Sequence, residues 1–289
     1  MGRVLTQAEG TATMEREFEL TDKDFKYIQW YMHKHVGIYL SDRKRNMVYG
    51  RLSRRMRAAR VLKFADYRTI IESSETERIN FINALTTNKT EFFREYHHFE
   101  FLEGPAIEQW RHQGNKSVNI WSAGCSTGQE PYSLISSLYV AGAFDFFDNV
   151  NLFASDLDTA VLNHAKEGVY DEEAIESIPD RYLKSCFVKG RGTHLGKIKI
   201  KQGLQKQIIF NQLNLFDKWP KMAKFDLISC RNVMIYFDRD TQAKLLQRFY
   251  EALTPTGILF IGHSESAASS SDLFHHLGHT IYVKKQEEQ

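Results

Sequence analysis

The sequence predicts a helical N-terminal region followed by an α/β domain, and three observations support this prediction. Residues 20–86 show only the hydrophobic periodicity of helices. Beyond residue 115, short apolar runs typical of strands alternate with helical segments, as in a sheet with helices on both faces. A glycine-containing turn at residues 121–133 joins the first of these strands to a helix, an arrangement found in nucleotide-cofactor sites.

The N-terminal region is predicted to span residues 19–87 and to contain four helices. Thr21 can cap the first helix, which carries Phe25 and Ile28 on its apolar face. Residues 1–18 lack the apolar core of a signal peptide and are predicted to be a disordered tail. The helices after the first are predicted at about residues 41–61, 64–71 and 75–85.

The α/β domain is predicted to span residues 116–289. Residues 88–115 link it to the N-terminal region and are expected to contribute to the active site. Strands are predicted at residues 118–123, 150–155, 208–215, 225–230, 257–262 and 279–284, and helices at residues 130–141, 158–167 and 239–253.

One segment interrupts this alternation. Residues 187–201 contain three glycines and then a strict Lys/Ile alternation, which predicts a hairpin with one apolar and one basic side. We interpret residues 185–203 as a small β insert that could bind a partner. A surface excursion without a role is an equally good interpretation of these residues.

Composition and charge exclude several classes of protein. A net charge of +2 is too small to suggest nucleic-acid binding by itself. The three cysteines are widely spaced, which excludes a disulfide framework and a C-x-x-C metal site and favours a reducing, cytoplasmic compartment. No apolar run approaches the roughly 20 residues that a membrane-spanning helix needs.

The turn after the first strand indicates which kind of cofactor the domain holds. Gly124 and Gly128 allow a tight turn in which the backbone can approach a ligand. Their spacing lacks the third glycine of the dinucleotide motif and the Lys-Ser/Thr pair of a P-loop. Glu130 stands where the phosphates of a dinucleotide would lie. A carboxylate there favours a cationic cofactor without phosphate, such as S-adenosylmethionine, although Glu130 could simply complement the helix dipole.

An acidic residue ends the second predicted strand. At this position of a nucleotide-binding α/β fold, a carboxylate accepts hydrogen bonds from the ribose hydroxyls. Asp156 occupies the position, and the alternative is that it caps the following helix. Asp158 suits the capping role better, so we expect Asp156 to be free for the ribose.

Two further segments supply candidate residues for the acceptor side. In residues 88–95, Arg94 follows two phenylalanines and could clamp a carboxylate, although it could also be a surface charge beside an interdomain contact. Arg231, Asn232 and Tyr236 follow the strand at 225–230, where ligands bind in open α/β sheets. Tyr236 could orient a reacting group, or could pack at the base of the next helix.

A basic run lies in the second predicted helix. Residues 43–63 hold nine basic side chains and no acidic one, which indicates an acidic partner. Nucleic acid, an anionic membrane surface and acidic protein helices all satisfy this condition.

Together these segments resemble the chemotaxis receptor glutamate methyltransferases, the CheR family. The resemblance covers residues 20–285 and rests on motifs at residues 88–94, 122–133, 155–158, 214–215, 230–237 and 253–265. Thr256 departs from the family, which has glycine there, and we expect it to affect a turn before a late strand. The resemblance implies a class I S-adenosylmethionine-dependent methyltransferase (Rossmann-like) domain with a small antiparallel β subdomain, after an all-α domain.

The resemblance also implies roles for individual residues. Arg94 and Tyr236 would be catalytic, at the methyl-accepting end. Arg51, Arg54, Arg55 and Arg57 would contact acidic receptor helices, and Gly190, Arg191 and Gly192 a receptor C-terminal peptide. The S-adenosylmethionine site would be formed by Asn88, Thr90, Arg94, Gly124, Glu130, Asp156, Asn214, Leu215, Arg231 and Asn232.

The implied function is O-methylation of glutamate side chains on the cytoplasmic helices of chemoreceptors, with S-adenosylhomocysteine as product. We expect a cytoplasmic monomer that is recruited to receptor arrays, with no nucleic-acid partner, no membrane insertion and no metal. Two alternatives stay open: a nucleic-acid methyltransferase, and a non-catalytic adaptor that binds S-adenosylmethionine. The presence of Arg94, Glu130, Asp156 and Tyr236 together argues against the adaptor.

Overall fold

The computed structural model describes residues 17–267 and 270–286. Most of the predicted tail over residues 1–18 therefore lies outside the described residues. Thr21 caps the first helix through a capping box with Asp24, as the sequence predicts. Gly37 ends that helix in the left-handed conformation. The four helices of the N-terminal region are α1 (Asp22–Val36), α2 (Arg45–Ala59, after a 3₁₀ turn at Asp42–Lys44), α3 (Phe64–Ser73) and α4 (Glu75–Leu85).

The central sheet has seven strands that are mostly parallel, and it confirms the predicted α/β fold. The chain runs outward from β1 (Ser117–Ala123) to β2 (Asn149–Asp156) and β6 (Ile208–Gln212). It then crosses to β7 (Phe225–Cys230) on the other side of β1. The strand order therefore reverses between β1 and β7, where open α/β sheets bind their ligands. In the order β6-β2-β1-β7-β8-β10-β9, the strands are Ile208–Gln212, Asn149–Asp156, Ser117–Ala123, Phe225–Cys230, Leu253–Ile261, Ile281–Lys284 and Phe274–Gly278.

Residues alternate between two cores on the two faces of this sheet. Ile120 of β1 belongs to one core, and its neighbour Trp121 belongs to the other. β7 is buried along its whole length because helices cover both faces. The helices of this domain are α5 (His97–Phe101), α6 (Ile107–His112), α7 (Gln129–Val140), α8 (Ala143–Phe146), α9 (Thr159–Glu167), α10 (Asp180–Cys186), α11 (Gln202–Gln205) and α12 (Arg239–Ala252).

A small antiparallel sheet lies between α9 and α11. The predicted hairpin is confirmed: β4 (Phe187–Lys189) pairs with β5 (Lys197–Ile200), whose lysines are exposed and whose isoleucines are buried. A third strand, β3 (Val169–Asp171), pairs with the other edge of β5. β3 lies before the predicted insert at residues 185–203, and its three residues are too few to show a strand period in the sequence.

The last strands differ from the prediction. The sequence predicts one strand at residues 279–284, whereas the structure has β9 and β10 joined by a turn in which His279 and Thr280 have φ of 49° and 60°. Thr256 lies inside β8 rather than in a turn before it. Its carbonyl oxygen accepts a hydrogen bond from Gln109 Nε2 at 3.0 Å, and its hydroxyl oxygen accepts one from Gln113 Nε2 at 3.0 Å.

The segment that joins the two regions is itself largely helical. α5 and α6 are connected through a π-helical turn at Leu102–Ala106 that accommodates Pro105. Phe99 and Trp110 of this segment belong to the core on one face of the sheet. Residues 97–112 are thereby fixed to the sheet, and they hold the preceding residues 88–95 against the ends of β1 and β7.

Candidate cofactor site and catalytic cleft

A cleft of about 1110 Å³, partly open to solvent, lies at the carboxyl ends of β1, β2 and β7. It coincides with the point at which the strand order reverses. The structure brings all the predicted cofactor-binding residues and Tyr236 to this one cleft, although they come from five separate segments. The predicted residues that line it are Asn88, Thr90, Arg94, Gly124, Glu130, Asp156, Asn214, Leu215, Arg231, Asn232 and Tyr236.

The glycines after β1 are required by close contacts. Gly124 has φ of +86°, and a Cβ there would lie 2.4 Å from Cγ2 of Val233. Gly128 has φ of +96°, and a Cβ there would lie 2.9 Å from the Cβ of Ala165. Any side chain at either position would be strained and would displace the turn. The two glycines therefore hold the turn backbone against the cleft and against α9.

Asp156 lies at the end of β2, with its carboxylate at the cleft. Its oxygens accept hydrogen bonds from the backbone N–H groups of Ser126 at 2.7 Å and Asp158 at 2.9 Å. Asp158 caps α9, as predicted. The expectation that Asp156 is free therefore needs correction, because both of its oxygens already fix the turn. Each oxygen keeps a second lone pair for a ligand. Burial raises the pKa of Asp156 to about 6, although these two N–H donors oppose the rise.

Glu130 also has protein partners, so it is not an isolated carboxylate. It accepts a hydrogen bond from the Ser122 hydroxyl at 2.7 Å and lies 3.3 Å from Nη1 of Arg231. Arg231 also lies 3.3 Å from Glu95, and its guanidinium donates to the carbonyl oxygen of Arg94. Two carboxylates thus surround one guanidinium, which leaves a net charge of about −1 beside the cleft.

The two carboxylates of this group have opposite pKa shifts. Burial raises the pKa of Glu130, and Arg231 only partly offsets this effect. Burial also disfavours the ionised form of Glu95, but Arg231 and the hydrogen bonds of its carboxylate lower its pKa overall. The Glu130 end of the cleft is therefore acidic, and a cationic ligand would stabilise its ionised carboxylates.

Arg94 and Tyr236 line the cleft from two different segments of the chain, the one before α5 and the one after β7. The Arg94 guanidinium is half-buried and donates to the carbonyl oxygen of Lys89 at 3.3 Å. The Tyr236 hydroxyl lies 3.5 Å from the carbonyl oxygen of Thr87. The Lys44 ammonium lies 5.3 Å from the centre of the Tyr236 ring, in the range of a cation–π contact. This end of the cleft therefore carries cationic and phenolic groups, whereas the Glu130 end is acidic.

The N-terminal region forms one wall of the cleft, which the sequence did not indicate. Val36 at the end of α1, and Ile38 and Leu40 just after it, line the cleft with apolar surface. The wall is fixed by three hydrogen bonds to the α/β domain: from Tyr39 N–H to the carbonyl oxygen of Tyr236 (2.7 Å), from Asn214 Nδ2 to the carbonyl oxygen of His35 (2.8 Å), and between His33 and Asp238 (2.6 Å).

The basic residues of α2 do not all face solvent. Arg55 forms an ion pair with Glu77 at 2.6 Å, and Arg51 donates to the carbonyl oxygen of Thr86. Arg54 is exposed, and Arg57 is exposed but pairs with Glu17 at 3.1 Å. Only part of the basic run is therefore free to face an acidic partner. In the small sheet, Arg191 and Gly192 are exposed.

Three polar residues at or next to the cleft were missed in the sequence. Lys44 is hidden within the basic run. Glu95 follows Arg94 and accepts from the backbone N–H of His263 at 3.1 Å. Glu265 binds the loop that carries Tyr236. Each of these contacts joins segments that are more than 30 residues apart, so spacing along the chain could not reveal them.

The fold and this cleft together define a class of protein: an α/β methyltransferase that uses S-adenosylmethionine. The residues present fit this cofactor, because the glycine turn, the carboxylate of Asp156 and the acidic group around Glu130 suit its ribose and its positive charge. Among the described residues, no helix is long and apolar enough to cross a membrane.

Comparison with known proteins identifies the family. Residues 23–86 match the CheR methyltransferase all-alpha domain, and residues 88–283 match the CheR methyltransferase SAM binding domain. The chain is 42% identical over 269 residues to chemotaxis protein methyltransferase 2 of Pseudomonas aeruginosa, covering 92% of this chain and 95% of that relative. It is 39% identical over 278 residues to the chemotaxis protein methyltransferase of Escherichia coli K12, covering 95% of each. The chain therefore belongs to the CheR methyltransferase family, whose members methylate proteins in chemotaxis with S-adenosylmethionine as cofactor.

Proposed function

We propose that this protein is a protein-glutamate O-methyltransferase that acts in the cytoplasm on the helices of chemoreceptors. The observation that carries the proposal is the position of Arg94 and Tyr236, which line the same cleft as Glu130 and Asp156. A guanidinium that can hold a carboxylate thus lies beside a cradle that suits S-adenosylmethionine. The names of the relatives support a protein substrate in chemotaxis.

Methyl transfer to a glutamate carboxylate requires alignment of the carboxylate oxygen with the methyl group, but it requires no general base. A glutamate side chain with a pKa near 4.3 is already ionised at neutral pH. S-Adenosylmethionine supplies a methyl group that is activated by its positively charged sulfur. Arg94 would hold one carboxylate oxygen of the substrate, and Tyr236 would position the other oxygen in line with the methyl group. Val36, Ile38 and Leu40 keep water from one side, which favours a reaction that neutralises charge.

The function is tested by transfer of labelled methyl to membranes rich in chemoreceptors. We expect label on receptor protein that is lost as methanol in mild base, because methyl esters hydrolyse under these conditions and N-methyl groups do not. Receptors with their methylated glutamates replaced by alanine serve as the control. Base-stable label, or label that enters RNA or DNA instead, would contradict the proposal.

Within this proposal, exposed arginines of α2 contact acidic receptor helices. We expect Arg54→Glu to raise the apparent KM for receptor about 3- to 10-fold at low salt and less at high salt, because an exposed charge acts mainly on association. Steady-state methylation at two salt concentrations measures this effect. Arg111→Glu, a charge reversal on the exposed side of α6, is the matched control. Equal KM values for Arg54→Glu and wild type at low salt would exclude the contact.

The small sheet is the proposed docking site for a receptor C-terminal peptide. Its turn is compact, because a Cβ at Gly190 would overlap the carbonyl oxygen of His194. Arg191 is exposed beside it, and Lys197 and Lys199 extend along β5 on the solvent side. This basic, exposed surface suits a peptide that ends in a carboxylate.

Cofactor affinity is expected to depend on pH through Asp156. The pKa of Asp156 is about 6 in the folded protein, above the value of about 3.9 for an unperturbed aspartate. Ribose hydroxyls donate best to the ionised form, so the affinity for S-adenosylhomocysteine should weaken as pH falls below 6, by at most about tenfold per pH unit. The free energy of unfolding of the cofactor-free protein depends on pH in the opposite direction. Because the pKa of Asp156 is raised in the folded state, its protonated form contributes stability that is fully present below about pH 4 and is lost as pH rises through 6.

Equilibrium titration of S-adenosylhomocysteine between pH 5 and pH 8 measures this dependence. Asp156→Asn should bind more weakly at pH 8 and show a flatter profile, because the amide does not titrate. The same profile in both proteins would assign the pH dependence to another group.

A further inference from the structure

A buried carboxylate holds the loop that carries Tyr236. Glu265 follows β8 and is only 9% exposed. Its Oε2 accepts hydrogen bonds from the backbone N–H groups of Gly262 at 2.5 Å and Asn232 at 2.9 Å. Its Oε1 accepts from the N–H of Ile235 at 3.2 Å. One side chain therefore binds both ends of the turn between Asn232 and Ile235.

Other contacts also hold this loop, residues 231–237: Gln242 Nε2 donates to the carbonyl oxygens of Met234 and Phe237, and the Tyr39 N–H donates to that of Tyr236. Asn232 has φ of 59°, a left-handed conformation that asparagine adopts more readily than most other non-glycine residues. A 3₁₀ turn at Met234–Tyr236 follows. The N–H groups at positions 232 and 235 donate to Glu265 rather than to a strand or helix partner. The carboxylate thus supplies the acceptor for two N–H groups of the loop, whereas Gln242 binds loop carbonyl groups.

Gly262 allows Glu265 to lie close to the backbone of Asn232. A Cβ at Gly262 would lie 2.8 Å from Glu265 Oε2 and 2.7 Å from the backbone nitrogen of Asn232, so only glycine fits. Among the described residues, Glu265 forms no ion pair, and its charge is offset by backbone N–H dipoles alone. Burial of a carboxylate without a cationic partner costs free energy. The backbone N–H groups of Gly262, Asn232 and Ile235 offset part of this cost by donating hydrogen bonds to Glu265.

We propose that Glu265 is a positioning residue that fixes loop 231–237 and thereby aims Tyr236 at the methyl-accepting end of the cleft. Glu265 is not among the residues that line the cleft, so it acts through the loop. The inference rests on the proposed role of Tyr236 for its catalytic consequence. Its structural part, the order of the loop, can be measured independently.

Glu265→Gln tests the proposal with little change in side-chain shape. The three N–H groups need acceptors on both oxygens, and the amide nitrogen of glutamine cannot accept, so at least one hydrogen bond is lost. We expect kcat to fall about 10- to 100-fold, as for other small displacements of catalytic groups, while the KM for receptor changes less than threefold. Hydrogen exchange should accelerate at the amides of residues 231–237.

The matched control is Asp226→Asn. Asp226 is a buried carboxylate at the other end of β7, where it accepts from the backbone N–H of Asn119 at 2.8 Å. We expect this variant to lose stability without loss of kcat at a temperature well below its Tm. If Glu265→Gln behaved in the same way, with exchange raised evenly over the chain and kcat unchanged, Glu265 would be merely structural and the proposal wrong.

A double-mutant cycle with Tyr236→Phe completes the test. If Glu265 acts through Tyr236, the double variant should lose little more turnover than the worse single variant. Losses that multiply in the double variant would overturn the link to Tyr236. If Tyr236→Phe alone had normal turnover, the proposed role of Tyr236 would fail, and the exchange rates of residues 231–237 in Glu265→Gln would still decide whether Glu265 orders the loop.

Discussion

Replacing Arg94 with alanine is expected to lower turnover about 100-fold or more, while the affinity for S-adenosylhomocysteine changes far less. The proposed guanidinium fork holds the substrate carboxylate in line with the methyl group, and loss of that alignment removes an interaction needed in the transition state. The Arg231 guanidinium donates to the backbone carbonyl of residue 94, which the substitution keeps. The acidic part of the cleft should therefore stay intact.

Single-turnover methylation and equilibrium binding of S-adenosylhomocysteine separate these two effects. Arg94→Lys keeps the charge but not the planar fork, so it should recover only part of the activity. Arg111→Ala, which removes an arginine from the surface of α6, controls for a general loss of positive charge. Near-normal turnover of Arg94→Ala would rule out the carboxylate clamp.

Replacing Arg231 with methionine is expected to lower the free energy of unfolding by about 3–5 kcal/mol at neutral pH. The guanidinium is buried between Glu95 and Glu130, and its loss leaves two buried carboxylates without a cation. The pKa of Glu130 is already raised by burial and should rise further in the variant. The loss of unfolding free energy that is due to ionised Glu130 should therefore grow as pH rises through that pKa and shrink at lower pH.

Chemical denaturation at pH 5 and pH 8 measures this difference. Adding Glu130→Gln to Arg231→Met should restore part of the stability, because one uncompensated charge is removed. A double variant that is no more stable than Arg231→Met would show that packing, rather than charge compensation, is what the arginine supplies.

The local parts of this fold could be predicted from the sequence. Thr21 and Asp158 were recognised as helix caps, because a cap depends on residues two or three positions away. The approach of Gly124 to the cleft followed from its place between a strand and a helix. Asp156 was placed correctly at the end of β2, but its hydrogen bond with the N–H of Ser126, 30 residues away, was not foreseen.

The parts that depend on contacts between distant segments could not be predicted. Hydrophobic periodicity showed that α1 has a buried face, but it could not show that residues 36–40 go on to wall the cleft. Glu265 lies 33 residues from Asn232 in the sequence, and only the side-by-side pairing of β7 and β8 brings them together. β9 was missed because four of its five residues are at least partly exposed, which removes the alternation that marks a half-buried strand.

The wall that residues 36–40 contribute to the cleft has a thermodynamic consequence. A ligand in the cleft would contact two regions of the chain that also meet through hydrogen bonds and through packing of Leu157, Tyr236 and Phe237 against the N-terminal core. Its binding free energy therefore adds to the cohesion of both regions, and at 100 times its Kd it adds about 2.7 kcal/mol against any opening that exposes the site. Cofactor binding is thus expected to couple the stability of the N-terminal helices to that of the sheet.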